Sequence, residues 1–253
     1  MPLFPTSNIH CCQKKRIKHR ILAELCSCLY FRMRCRMEIT MKEFIQKYNH
    51  IWVLLYVPLY VTWFFYLEQR SGISHVNIHC PLDDLIPFCE YFIIPYLLWF
   101  FYVALVFVCM FLDTKHKTEF YHYFGLMAAG MTFCLIIYTV WPNAQNLRPS
   151  TFERDNMFTR LIQFLYATDT DTNVCPSLHV YNSLATHIAV CKGHFFQDKK
   201  YLKHTSFILC VLIILSTVFL KQHSCIDGIA SFILFIIFYR LIWCKQPEKK
   251  AGK

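Results

Sequence analysis

Apolar runs longer than the helices of a soluble core constrain this chain more than any other feature. They fall at about Ile51 to Leu67, Glu90 to Leu112, Tyr123 to Trp141, Ser177 to Cys191, Ser206 to Leu220 and Ile226 to Cys244. A helix crossing a bilayer needs about 20 residues, with about 17 tolerable, and it must satisfy its backbone hydrogen bonds within itself. The second, third and sixth runs meet that length easily. The fourth and fifth are shorter and carry polar residues, as helices inside a bundle do. The expectation is an all-α, six-span integral membrane bundle. Composition agrees, since only 17% of residues are charged and 56% are hydrophobic, against roughly 25% charged in soluble domains.

The formal net charge of +10 suggests nucleic acid or an anionic surface until the charges are located. With a cytoplasmic N-terminus, twenty-one of the 26 Lys and Arg fall on the cytoplasmic side. Only Arg70, Arg148, Arg154, Arg160 and Lys221 lie outside, and the two sides carry +14 and −4. Lys and Arg mark the cytoplasmic side of membrane proteins, so both termini are expected there in a multi-pass protein of the cell membrane. The runs Lys14-Lys15-Arg16 and Lys199-Lys200 then face anionic lipid headgroups. The charge requires no nucleic acid partner.

The expected organisation is a basic N-terminal segment (1–45), a membrane domain (46–245) and a basic tail (246–253). Residues 1–36 have no apolar core ending in small residues, so they do not read as a cleaved signal. They read either as a surface-lying basic segment or as sequence upstream of a true start at Met37 or Met41, and no function is assigned to them. The fourteen cysteines contain no Cys-x-x-Cys pair. Cys11, Cys12, Cys26, Cys28 and Cys35 crowd the N-terminal segment, and Cys109, Cys134, Cys191, Cys210 and Cys244 fall in or at the ends of spans, where Cys acts as a small hydrophobe. Cys80, Cys89, Cys175 and Cys225 face outward, where oxidation can occur but sequence alone cannot pair them.

Ionisable groups at membrane depth are costly and mark functional positions by default. Three segments bring such groups to the outer face: Trp141 to Pro149, Cys175 to Val180, and Ser216 to Asp227. His223 and Asp227 are four apart and share a face if the sixth helix has begun. The carboxylate then holds one ring nitrogen as N–H and leaves the other as nucleophile or base. His179, at the mouth of the fourth helix, is placed to protonate a leaving group. Arg148, Lys221 and the free N–H groups of that helix would gather around a phosphate. This set suits phosphoryl transfer through a phosphohistidine, with no metal or other cofactor. Alone, each residue has a blander reading, as an interfacial hydrogen-bonding His or an ordinary helix pair. Their co-occurrence with Arg148 and Pro176-Ser177 favours catalysis.

Other polar features read as structural. Asp169 to Asn173 lacks the Gly turn and distal Glu of a calcium loop and suits a turn and cap. Asp83, Asp84 and Glu90 are read as outer-loop residues, and His187 as a hydrogen-bonding residue of the bundle. Trp63, Phe64, Phe65 and Trp99 to Tyr102 are read as lipid-facing or interfacial aromatics.

The three segments resemble the signature of the type 2 phosphatidic acid phosphatase (PAP2) superfamily, whose motifs are Lys-x6-Arg-Pro, Pro-Ser-Gly-His and Ser-Arg-x5-His-x3-Asp. Arg148-Pro149 matches the end of the first, Pro176, Ser177 and His179 match the second with Leu178 in place of Gly, and Ser216, His223 and Asp227 match the third. The resemblance covers roughly residues 45 to 245 and implies a six-helix bundle of the phosphatase and chloroperoxidase type. It implies His223 as nucleophile, Asp227 as its orienting partner, His179 as general acid, and Arg148, Ser177 and Ser216 about the phosphate. Two cations of the pattern are absent: Trp141 stands at the Lys position and Thr217 at the Arg position. Lys221 is the candidate replacement. The Pro-Ser-Leu-His form is similar to that of inositol-phosphorylceramide synthases, so headgroup transfer is the alternative to hydrolysis of a lipid phosphate. A non-catalytic transporter or scaffold that keeps the fold is the alternative of another class, and the two missing cations are its support.

Overall fold

The structure is a computed structural model and describes residues 40–43 and 45–244. The basic, cysteine-rich residues 1–39 and the expected tail, 246–253, lie outside the described residues. The chain divides after Ile51, and the helices α1 to α8 belong to the unit from Trp52 onward.

Its helices are α1 (Tyr56–Glu68), α2 (Pro81–Leu85), α3 (Ile93–Leu112), α4 (Lys117–Val140), α5 (Met157–Thr168), α6 (Leu178–Lys192), α7 (Lys200–Phe219) and α8 (Cys225–Ile242). Two two-residue strands, β1 (Val76–Asn77) and β2 (Asn143–Ala144), pair in parallel. Five segments are long and apolar enough to cross a membrane: Asn49–Glu68, Glu90–Leu112, Lys117–Val140, Lys200–Phe219 and Cys225–Ile242. The chain is therefore mostly helical, with the make-up of an all-α membrane protein. Several of these helices are apolar around their whole circumference, and Phe100, Phe101, Leu105, Ile229 and Phe232 stand exposed. Such a helix needs a core or a lipid phase around it.

The expected fourth span is the exception. α6 has 15 residues, about 22 Å at 1.5 Å per residue, and packs against α3, α4, α7 and α8. Several of its polar residues are paired inside the bundle. Thr186 Oγ1 meets Tyr123 OH at 3.0 Å, and His187 Nδ1 meets Ser206 Oγ at 2.9 Å. Tyr181 OH donates to the Leu126 carbonyl at 2.7 Å. This approach needs Gly130 in α4, where an added Cβ would lie 2.0 Å from the Tyr181 ring.

Helix starts set the positions of the site residues. Ser224 caps α8 in a capping box: its Oγ accepts from Ile226 N, and Asp227 Oδ2 accepts from Ser224 N at 2.9 Å. The spacing Ser-Cys-Ile-Asp is the sequence mark of that device. Ser177 caps α6, its Oγ accepting from Val180 N at 3.4 Å. The lead-in to α6 is pinned by Asn143 of β2, fully buried, whose Oδ1 accepts from Val174 N and Cys175 N at 2.9 and 2.8 Å. Its Nδ2 donates to the Cys175 carbonyl at 3.0 Å. The first and second motif segments are thus held together by one amide.

Candidate active site

The end of α1, the loop between α5 and α6, the start of α6 and the turn between α7 and α8 enclose a cavity of about 60 Å³. That exceeds the roughly 10–15 Å³ a cavity needs to hold a water. Glu68, Asp169, Asn173, His179, Gln222 and His223 contribute to its wall.

His223 Nδ1 lies 3.2 Å from Asp227 Oδ2, both side chains being buried. An ionised carboxylate only accepts, so this bond places a proton on Nδ1 and leaves the Nε2 lone pair for chemistry. The backbone N–H of His223 donates to the Thr217 carbonyl at 3.0 Å, which fixes the turn that carries the ring. The His179 ring lies 5.6 Å from that of His223, centroid to centroid. On its other sides His179 packs on Tyr96 at 4.6 Å and Trp99 at 4.5 Å. Its Nδ1 is buried without a hydrogen-bond partner among the described residues. Of the three residues expected from the motifs, His179 and His223 line the cavity, and Asp227 is buried behind His223.

The expected phosphate-binding residues divide. Arg148 stands behind the wall: Nη1 donates to the Tyr166 carbonyl at 3.1 Å, and Nη2 to the carbonyls of Asp169 and Thr170 at 2.7 and 2.8 Å. Its guanidinium stacks 4.6 Å from the Tyr166 ring centroid. Nη2 also donates to Gln222 Oε1 at 2.6 Å. Arginine cannot accept, so the contact fixes which end of the Gln222 amide is oxygen. Gln222 Nε2, on the residue lining the cavity, is buried and unpartnered among the described residues.

Lys221 does not reach the cavity. It sits in the left-handed region at φ +54°, and its Nζ donates to the carbonyls of Asp83 and Ile86 at 2.6 and 2.5 Å. Ser216 Oγ donates to the Ile213 carbonyl at 2.6 Å within α7. Ser177 is spent on capping, its N–H donating to the Asp227 carbonyl at 3.3 Å and its carbonyl accepting from Ser231 Oγ at 2.9 Å. Among the described residues no Lys or Arg lines the cavity, while Glu68 and Asp169 do. Glu68 accepts from Asn173 Nδ2 at 3.0 Å and from Thr170 Oγ1, and Asp169 Oδ2 accepts from Tyr96 OH at 2.7 Å.

The segment Asp169 to Asn173 is thus a turn, as its sequence suggests, but one folded over the cavity. Three aromatic assignments change: Trp99 packs on His179, Phe64 lines the cavity, and Tyr102 is buried with its OH 2.6 Å from Ser206 Oγ, whereas Phe65 and Phe101 are exposed. Of the outer acids, Asp83 is buried against the start of α8, where Ser224 Oγ donates to it at 2.6 Å and Cys225 N at 2.8 Å. Burial alone would raise its carboxyl, but these bonds and that from Cys80 N outweigh it and hold the group below the usual carboxylate range. Gln222, Glu68, Tyr96 and Asn143 carry no motif signal, although Glu68 has a usable one, an acid at the end of an apolar run.

No protein-family model, curated protein or solved structure matches the chain.

Proposed function

We propose that this chain is a membrane-embedded lipid phosphate phosphatase of the PAP2 type that works through a phosphohistidine on His223. The observation that carries the reading is His223 on the same cavity as His179, with the buried Asp227 carboxylate 3.2 Å from its Nδ1. In this reading α6 is a sixth, short crossing at the centre of the bundle. The distribution of Lys and Arg turns the cavity outward and both termini inward.

His223 Nε2 attacks phosphorus while His179 gives a proton to the departing lipid oxygen, leaving a phosphoramidate on His223. His179 then takes a proton from water, which attacks phosphorus and releases phosphate and free His223. Asp227 stabilises the positive charge that grows on the imidazole. The phosphoryl oxygens have Gln222 Nε2 as a donor, together with first-turn N–H groups of α6 that lack intrahelical partners. Arg148 acts on the phosphate through Gln222 and through the loop carbonyls it holds.

Glu68 and Asp169 favour a second reading, headgroup transfer. Carboxylates repel a phosphate but accept hydrogen bonds from hydroxyls, so a polyol acceptor suits that wall better than the anion does. Purified full-length protein offered lipid phosphates and diphosphates, with and without inositol and with a chelator, separates the readings. Phosphate release that survives chelation and is lost in His223→Ala supports hydrolysis, whereas lipid-linked product formed only with the polyol supports transfer. No turnover of any substrate, with the His223→Ala protein behaving identically, supports a non-catalytic scaffold.

A further inference from the structure

One carboxylate gathers two cysteines that are far apart in the chain. Asp83 Oδ2 accepts from Cys80 N at 2.8 Å and its Oδ1 from Cys225 N at 2.8 Å, so both cysteine backbones are tied to the same side chain. Ser224 Oγ adds a bond to Oδ2 at 2.6 Å, and Lys221 Nζ ties the neighbouring turn to the Asp83 and Ile86 carbonyls. The Cys80 and Cys225 sulfurs, both reduced and both partly exposed, lie within 4.8 Å of each other. A disulfide holds its sulfurs at about 2.05 Å, so the two thiols stand close to each other but unbonded.

Cys80, Asp83 and Cys225 also have the spacing of a metal site. The carboxylate argues against that use, because three of its roughly four acceptor positions are already filled by Cys80 N, Ser224 Oγ and Cys225 N. What is left over is a pair of thiols. On the outward placement of this face, that pair meets a compartment in which disulfides persist.

We propose that Cys80 and Cys225 form a disulfide that fastens α2 to the first residue of α8, two positions from His223 and two from Asp227. The oxidant is a disulfide of the dithiol–disulfide exchange class. One cysteine thiolate attacks it and expels one oxidant thiol, and the second cysteine attacks the mixed disulfide and expels the other. Two protons and two electrons pass from the cysteines to the oxidant. The bond depends on the orientation of the protein and not on the chemistry of His223.

The test uses full-length protein extracted without reductant, with and without incubation in oxidised glutathione. Free thiols are alkylated before digestion and peptide mass mapping. The expected result is a peptide pair joining Cys80 to Cys225 that disappears on reduction, together with a melting midpoint that falls by several degrees on reduction in the wild type but not in the Cys80→Ser, Cys225→Ser double variant. Alkylation of both cysteines before reduction even after the glutathione step overturns the proposal. So does pairing of either with Cys89 or Cys175, or one equivalent of bound zinc with both thiols reduced. If the double variant does not fold, the wild-type peptide map decides alone.

Discussion

Arg148 Nη2 donates to Gln222 Oε1 at 2.6 Å, so the one arginine of the motif set meets the cavity through a neutral amide. Gln222 lines the cavity immediately before His223 in the chain, and its Nε2 is buried without a hydrogen-bond partner among the described residues. In the proposed reaction Gln222 is a ligand for a phosphoryl oxygen and Arg148 its orienting partner. Gln222→Ala is expected to lower kcat/KM by about ten- to a hundredfold, the loss of one hydrogen bond to a charged group at about 1.5–3 kcal/mol. Arg148→Lys is expected to cost a similar factor, because an ammonium cannot serve four acceptors and an aromatic face together. Steady-state kinetics of the two variants check both statements, and their double variant should lose little more than either alone.

His179 and Asp227 have separable kinetic signatures. His179→Asn should reduce kcat/KM, which reports the first step alone, by about 10²–10⁴ for lipid phosphates, the usual share of a general acid, and much less for an aryl phosphate whose leaving group needs no proton. Asp227→Asn should impair both substrates alike, because it disturbs the nucleophile itself. Equal losses on both substrates in His179→Asn would remove the acid role.

Asp83 makes a statement about pH. Its carboxyl is lowered in the folded chain, so the stability it gives is present above the unfolded carboxylate value of about 3.9. That stability is lost as pH falls through the lower folded value. Asp83→Asn should therefore lower the melting midpoint at neutral pH and flatten its decline on acidification, as thermal scans between pH 7 and 3 can show. Lys221→Met should lower the midpoint through the freed Asp83 and Ile86 carbonyls, with KM little changed.

The approach of α6 to α4 depends on Gly130. A Cβ there would overlap the Tyr181 ring at 2.0 Å, and overpacking of this kind typically costs about 1–3 kcal/mol. Gly130→Ala should lower the melting midpoint, and adding Tyr181→Ala should recover part of that loss by opening the space.

The sequence could be read wherever local geometry does the placing. His223 and Asp227 meet because four residues make one helical turn, whereas Ser177, expected about the phosphate, is spent as the cap of α6. Reading failed where placement depends on the turn or on the far side of a helix. Lys221 looked free beside the nucleophile, yet its left-handed backbone sends the ammonium to the Asp83 and Ile86 carbonyls. Trp99 looked lipid-facing because α3 is apolar all round, so no periodicity marks the face that packs on His179. Gln222 and Asn143 were invisible because a lone amide carries no pattern until its partners are known. α6 was legible as a helix, and its polar residues explain why it is shorter and less apolar than its neighbours.

The central claim is the covalent step at His223. Full-length His179→Asn protein is to be mixed with an aryl phosphate, whose leaving group needs no proton so that only the second step is slowed, then quenched in alkali and mapped by peptide mass spectrometry for an acid-labile phosphoramidate. The account predicts phosphate on the His223 peptide, chasing to free phosphate with time and absent from a His223→Ala control. Phosphate ester turnover that proceeds with no phosphate on His223, or that persists in the His223→Ala protein, would contradict it.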